Sequence, residues 1–209
     1  MNHIEDYIEE HITPEPDYLE KLERATNLQR VNGRMCSGRL QGRVLKMLTG
    51  MIDPMNVLEM GTFTGYSALC IAEGLADGAH LTTIEYEDEL EQPILEAFRE
   101  SGLEDRITLL IGDAVEIAAK MSAESFDMIF IDADKREYPL YYKEAKRLVK
   151  HGGYILADNT LWDGHVMEEG RNDSQTAGVR EFNRLAAIDP EVETVIIPLR
   201  DGISIIRKR

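Results

Sequence analysis

Cysteine is almost missing from this chain of 209 residues, which carries only Cys36 and Cys70. Two thiols in helical or helix-flanking sequence build no disulfide framework and lack the spacing of a paired metal site, so a reducing compartment fits best. Long apolar runs are missing as well. The opening segment, MNHIEDYIEEHITPEPDYLEKLER, is acidic and has no signal-peptide core. No later stretch reaches the roughly 20 apolar residues that a membrane span needs. The expectation is a cytoplasmic protein with no membrane partner. Positive charge is in deficit, 23 Lys and Arg against 39 Asp and Glu, for a formal net charge of -16. That balance repels phosphate backbones and disfavours a nucleic-acid partner.

What is present is globular. Hydrophobic residues make up 43% and charged residues 30%, which excludes the composition of a disordered chain. The length suits one domain over 1–209, read as an N-terminal helical cap at 1–50 and an α/β core at 51–209. In the cap, helical spacing runs through Leu19 and Leu22 and again through Leu40, Val44, Leu45 and Leu48, with a break near Asn32-Gly33.

Beyond Asp53-Pro54 the pattern switches to short apolar runs alternating with amphipathic ones, as in βα units feeding a parallel sheet. Strands are expected at 56–60, 80–86, 107–112, 126–131 and 153–157, all mostly apolar because both faces are covered. Helices are expected to start near Gly65, Asp88, Ala114, Glu137 and Ser174. Two further β-rich runs, at 194–199 and 203–207, flank Arg200-Asp201-Gly202, whose Asp-Gly supplies a tight turn for a closing antiparallel hairpin.

The most informative stretch is Val57-Leu58-Glu59-Met60-Gly61-Thr62-Phe63-Thr64-Gly65-Tyr66-Ser67, a strand entering a glycine turn and then a helix. Such a turn lets backbone approach a ligand and presents free helix N–H groups. Its spacing is not the G-x-G-x-x-G of a dinucleotide site, and Glu59 just before it would repel a pyrophosphate. A ligand with a cationic amino acid moiety and a sulfonium would tolerate that acid, so the turn suits S-adenosylmethionine better than NAD. Glu85 ends the second strand, where a carboxylate can accept ribose hydroxyls, and Asp113 ends the third. Each acid alone also reads as a helix cap or a solvated strand end.

A second cluster spans FDMIFIDADK, from Phe126, and GYILADNTLWD, from Gly153. It sets oxygen-bearing side chains at the carboxyl ends of adjacent strands, the edge at which open α/β sheets bind ligands. Asp132, Asp158 and Asn159 would supply three hard oxygen ligands, which suits Mg²⁺ and, less selectively, Ca²⁺ or Mn²⁺. Asp-Asn after a strand is also a common turn.

These blocks resemble the cation-dependent O-methyltransferases of the caffeoyl-CoA and catechol type, through Met35-Cys36-Ser37, the Gln41-Gly42 pair, EMGTFTGYS, FIDADK, ADNTLW and LRDGISIIRK. The resemblance implies a Rossmann-like class I methyltransferase fold, an open, mostly parallel seven-stranded sheet with a C-terminal antiparallel hairpin and helices on both faces. It implies contacts to S-adenosylmethionine, and to its product S-adenosylhomocysteine, from Met35, Ser37, Glu59, Gly61, Thr62, Ser67, Glu85, Asp113, Ala114 and Asp134. It further implies a metal on Asp132, Asp158 and Asn159, Lys135 as general base, and Trp162 with Asp163 at the pocket of a small catechol-like acceptor. Plant members carry Asn where Asp163 stands. A homodimer is implied as well.

Three other readings compete. A tRNA hydroxyuridine methyltransferase on the same fold is opposed by the acidic balance, and the Lys143, Lys146, Arg147, Lys150 group has the helical period of a solvated face. A noncatalytic S-adenosylmethionine-binding protein would need no metal and base together. An NAD oxidoreductase fails on the Gly61 spacing.

Overall fold

The computed structural model describes residues 3–29 and 36–209. Helices α1 (His3–His11), α2 (Asp17–Gln29) and α3 (Gly38–Ile52) precede the sheet. The expected break at Asn32-Gly33 lies outside the described residues. Helix α1 falls within the cap expected at 1–50, though outside the two helical runs read there; its Tyr7 and His11 rings, one turn apart, stack at 3.9 Å.

Seven strands follow: β1 (Asn56–Met60), β2 (His80–Glu85), β3 (Ile107–Ile111), β4 (Phe126–Ile131), β5 (Val149–Ala157), β6 (Val192–Ile197) and β7 (Ile203–Lys208). Between them run α4 (Tyr66–Gly74), α5 (Glu91–Ser101), α6 (Ala114–Ala119), α7 (Tyr138–Leu148) and α8 (Ser174–Ile188). The sheet order is β3-β2-β1-β4-β5-β7-β6, with the first five strands parallel and β7 antiparallel to both neighbours. The winding reverses between β1 and β4, and a crevice opens at such a point beyond the strands' carboxyl ends.

Strand ends differ from expectation by one or two residues at β2, β3, β6 and β7, and the start of β5 by four. Strand β5 begins at Val149 rather than 153, since Val149 pairs with Phe126 across a register irregularity. Strand β6 begins at Val192, placed opposite Lys208 by the hairpin register. Alternation divides the core. Val57, Leu81, Met128 and Phe130 face α3, α4 and α5, whereas Leu58, Met60, Ile129 and Ile131 face α6, α7 and α8. Both sets are buried, as the unbroken apolar runs required. Each large side chain removed from water here contributes about 1.5–3 kcal/mol.

Local chemistry sets the helix ends. Asp53 adopts a left-handed φ of 53° and closes α3 ahead of Pro54. Asp173 caps α8, accepting from the Thr176 N–H at 3.0 Å and its hydroxyl at 2.8 Å.

Candidate active site

The turn after β1 is built around Gly61. With φ at +99°, a Cβ there would lie 2.1 Å from the Asp132 carbonyl oxygen, so β1 and β4 can end side by side only with glycine at this position. The glycine expected here for close approach of a ligand is demanded independently by the neighbouring strand end. Gly65, φ +92°, then opens α4. Helix α2 packs on this turn, the Thr26 hydroxyl donating to Thr64 Oγ1 at 3.1 Å, and Glu15 accepts from the Tyr66 hydroxyl at 2.5 Å.

Glu59 is fully buried. Register places it beside Thr83 on β2, whose hydroxyl donates to Oε2 at 2.5 Å, while Oε1 has no hydrogen-bond partner. Burial pushes its carboxyl up to about 8; the Ser67 and Thr83 hydroxyls oppose the shift, and the charges of Asp132 and Glu85 reinforce it. Glu85 Oε2 accepts from the Thr62 and Phe63 N–H groups at 3.2 and 2.6 Å, and Oε1 from the Glu87 N–H at 2.9 Å. The acid expected to hold ribose hydroxyls therefore also holds the glycine turn.

Thr62, Ser67 and Ser37 are buried around the same turn and at the start of α3. Asp113 caps α6, its Oδ1 accepting from the Glu116 N–H at 2.9 Å, and Ala114 is the first residue of that helix. Asp134 accepts from the Arg136 N–H at 3.0 Å and pairs with the Arg136 guanidinium, which holds its carboxyl below the usual range. Met35 lies outside the described residues.

At the neighbouring strand ends, Ile131 and Ala157 are in register and Asp132 and Asp158 follow directly. Lys135 is buried, with Nζ donating to Asp132 Oδ1 at 2.8 Å and to the Tyr138 hydroxyl at 2.7 Å. Asp158 is also buried. Its Oδ2 accepts from Gln41 Nε2 at 2.7 Å and its Oδ1 from the Asn159 N–H at 2.7 Å. Burial and then the charge of Asp132 raise the Asp158 carboxyl above its ordinary value, while Lys135 and Gln41 pull it down. Asn159 stands in the left-handed region, φ 54°. Among the described residues no three His, Cys, Asp or Glu side chains form a metal-binding cluster. The candidate set holds two carboxylates and an amide, the hard oxygen donors that a divalent ion of the Mg²⁺ kind takes.

Trp162 packs against the buried residues beneath α7 and α8, and Asp163 follows in the same short 3₁₀ segment, Trp162–Met167. Asp163, Val166, Met167 and Asp201 help to line a cavity of about 280 Å³. The carboxyl of Asp201 is raised by burial and by the charge of Asp163. A larger cavity, about 510 Å³, lies along Asn183, Val192, Ile196 and Arg209 and takes in none of the candidate residues.

Residues 9–209 match the family model described as O-methyltransferase. The chain belongs to the O-methyltransferase family. It is 33% identical over 204 residues to caffeoyl-CoA O-methyltransferase 1 of Eucalyptus globulus, covering 93% of this chain and 82% of that one. Catechol O-methyltransferase of Niastella koreensis is 33% identical over 162 residues, covering 76% and 73%. Among solved structures, the O-methyltransferase TomG of Streptomyces achromogenes, in complex with SAM, superposes with a TM-score of 0.91 at 26% identity, covering 99% of this chain and 96% of that one. This O-methyltransferase is thus an enzyme similar to the caffeoyl-CoA and catechol O-methyltransferases, with the class I fold expected from its sequence.

Gln41, Thr83 and Tyr138 hold the site's acids and lysine without being among the expected site residues. Thr83 has a readable signal, a hydroxyl inside an apolar strand. Gln41 stands in the Gln41-Gly42 pair of the family resemblance, but its partner Asp158, 117 residues away, has no signal in the sequence.

Proposed function

We propose that this enzyme moves the methyl group of S-adenosylmethionine to one hydroxyl of a small vicinal dihydroxy aromatic, with a divalent ion on Asp132, Asp158 and Asn159. The observation that carries this reading is the meeting of Asp132, Lys135 and Asp158 at adjacent strand ends, fastened by Tyr138 and Gln41. Magnesium held by those oxygens would favour the ionised form of a chelating catechol.

The chain's own residues supply the rest. Glu59, with its unpartnered Oε1, receives the donor's amino group, and Glu85 holds the turn that cradles it. Ser37, Gly61, Thr62, Ser67, Asp113, Ala114 and Asp134 complete the donor's surroundings, with Met35. Lys135 takes the proton from the reacting hydroxyl. As the oxygen–carbon bond forms, the carbon–sulfur bond breaks, leaving a methyl ether and S-adenosylhomocysteine. Trp162 and Asp163 wall the acceptor, and much of the rate comes from holding oxygen, carbon and sulfur in line.

The same reading takes 1–209 as one domain with its cap at 1–50. A cytoplasmic location is supported by the two free, buried cysteines. Among the described residues no helix is long and apolar enough to cross a membrane. Homodimerisation is supported by the exposed apolar Val195, Ile196 and Ile197 of edge strand β6.

A methyl-transfer assay over catechols, caffeoyl esters, hydroxylated flavonoids and bulk tRNA, with and without Mg²⁺, tests the proposal. Metal-dependent product from a dihydroxy aromatic is expected; product from tRNA alone overturns it.

A further inference from the structure

Helix α8 touches both halves of the acceptor side. At Gly178 a Cβ would lie 2.2 Å from the Lys135 carbonyl oxygen, so the helix packs directly on the segment that carries the candidate base. Two residues on, Arg180 reaches the other way. Its Nε donates to the Val166 carbonyl at 2.9 Å, Nη1 to that of Arg171 at 2.6 Å, and Nη2 to those of His165 and Glu168 at 3.0 and 2.5 Å. Four of its five N–H donors thus close on one loop. No carboxylate pairs with it among the described residues, in contrast to Arg171 and Arg184 nearby.

That loop needs holding. It begins with Trp162, Asp163 and Gly164 at φ of 48°, 51° and 77°. Left-handed backbone at a bulky residue persists only where the surroundings fix it. Its entry is fixed by the Leu161 and Trp162 N–H groups, which donate to the Asp201 carbonyl at 2.7 and 3.3 Å, and by Asn183 Nδ2, which donates to the Thr160 carbonyl at 2.7 Å. Farther along, the polar contacts of His165, Glu168 and Arg171 stay within the loop or reach Asp173, its next neighbour in sequence. Among the described residues, 165–171 has two hydrogen-bonded anchors from outside, Asp173, which takes the Arg171 side chain, and Arg180, which alone of the two grips the loop's carbonyls.

We propose that Arg180 is a positioning residue for acceptor binding: it clamps the loop behind Trp162 and Asp163 to the helix that abuts Lys135, setting the acceptor wall and the base in one register. The inference rests on the reading above, in which Trp162 and Asp163 wall the acceptor. Arg180 touches neither donor nor acceptor, so its removal loosens the pocket while the Glu59 and Glu85 side keeps its contacts.

The test uses the full-length enzyme with Arg180→Ala, Arg180→Lys and, as control, Arg184→Ala, whose side chain pairs with Glu181. Acceptor KM and kcat are measured with S-adenosylmethionine and a catechol, S-adenosylhomocysteine affinity by calorimetry, and amide hydrogen exchange over 163–171. Arg180→Ala is expected to raise acceptor KM about tenfold, with kcat within about threefold and S-adenosylhomocysteine affinity within about twofold, the pattern of lost binding rather than lost chemistry. Exchange over 163–171 should quicken, Arg180→Lys should recover part of both effects, and Arg184→Ala should match the wild type. An unchanged acceptor KM in Arg180→Ala, or parallel loss of KM, kcat and S-adenosylhomocysteine affinity, overturns the inference while leaving the catechol reading intact. A wild-type enzyme that methylates no catechol overturns the catechol reading itself, and the role of Arg180 with it.

Discussion

Lys135 Nζ lies 2.7 Å from the Tyr138 hydroxyl, which donates in turn to the Asp158 main-chain carbonyl at 2.9 Å. Burial, followed by the charges of Asp132 and Asp158, holds the phenol far above its ordinary range, so it remains a neutral donor. One fully buried ring thereby joins the lysine to the backbone of a proposed metal ligand. Tyr138→Phe unpairs a buried carbonyl and frees Nζ from one of its two anchors, at a cost of about 1–3 kcal/mol in stability. The expected kinetic outcome is a kcat about tenfold lower with S-adenosylhomocysteine affinity nearly unchanged, read by steady-state kinetics and calorimetry. An unaltered kcat would show that the tyrosine does not orient the lysine.

Lys135→Ala removes the proposed proton acceptor outright. Turnover should fall by about 10²–10⁴ while donor affinity stays within a few fold. A rate near wild type would assign the proton to another group.

Glu59 links stability to pH. Its folded carboxyl is pushed up to about 8, against roughly 4.3 for an unfolded glutamate. Between those values the folded chain holds a proton that the unfolded chain has released, so the ligand-free enzyme loses stability as pH rises through the window, by up to about 1.4 kcal/mol per pH unit. Glu59→Gln should flatten that part of the profile in urea unfolding from pH 5 to pH 8. A variant and wild type with parallel profiles would contradict the buried protonated acid.

Gly61→Ala sets a methyl group against the Asp132 carbonyl and forces a left-handed φ on a non-glycine residue. Overpacking and backbone strain together should cost at least about 2 kcal/mol and push β4's end away, weakening donor binding and turnover in parallel. Thermal unfolding and calorimetry check both effects; a wild-type melting temperature would contradict the contact.

The sheet was legible because its strands are covered on both faces, so Leu58, Ile84, Ile129 and Ile155 stand out as apolar runs cut by acids at the carboxyl ends. Those acids, Glu59 apart, fall at strand ends, which is why the candidate positions could be read from spacing. Their partners could not. Gln41 meets Asp158 across 117 residues, and Arg180 meets four carbonyls whose positions depend on the loop's fold. Lys135 could equally have been read as a surface lysine facing Asp134 or Glu137. Arg136 takes Asp134 instead, while Tyr138 and Asp132 hold Lys135 in the interior. The start of β5 is not legible because Lys150, His151 and Gly152 carry no strand signal; pairing with β4 overrides their propensity.

Calorimetric titration of Mg²⁺ into the wild type, Asp158→Ala and Asn159→Ala, each with S-adenosylhomocysteine bound, measures the proposed metal centre apart from turnover. Saturable binding of one ion by the wild type, tighter at higher pH as the raised Asp158 carboxyl gives up its proton and lost in both variants, is the predicted result. Equal Mg²⁺ affinity in all three proteins, or none in the wild type, would contradict the account.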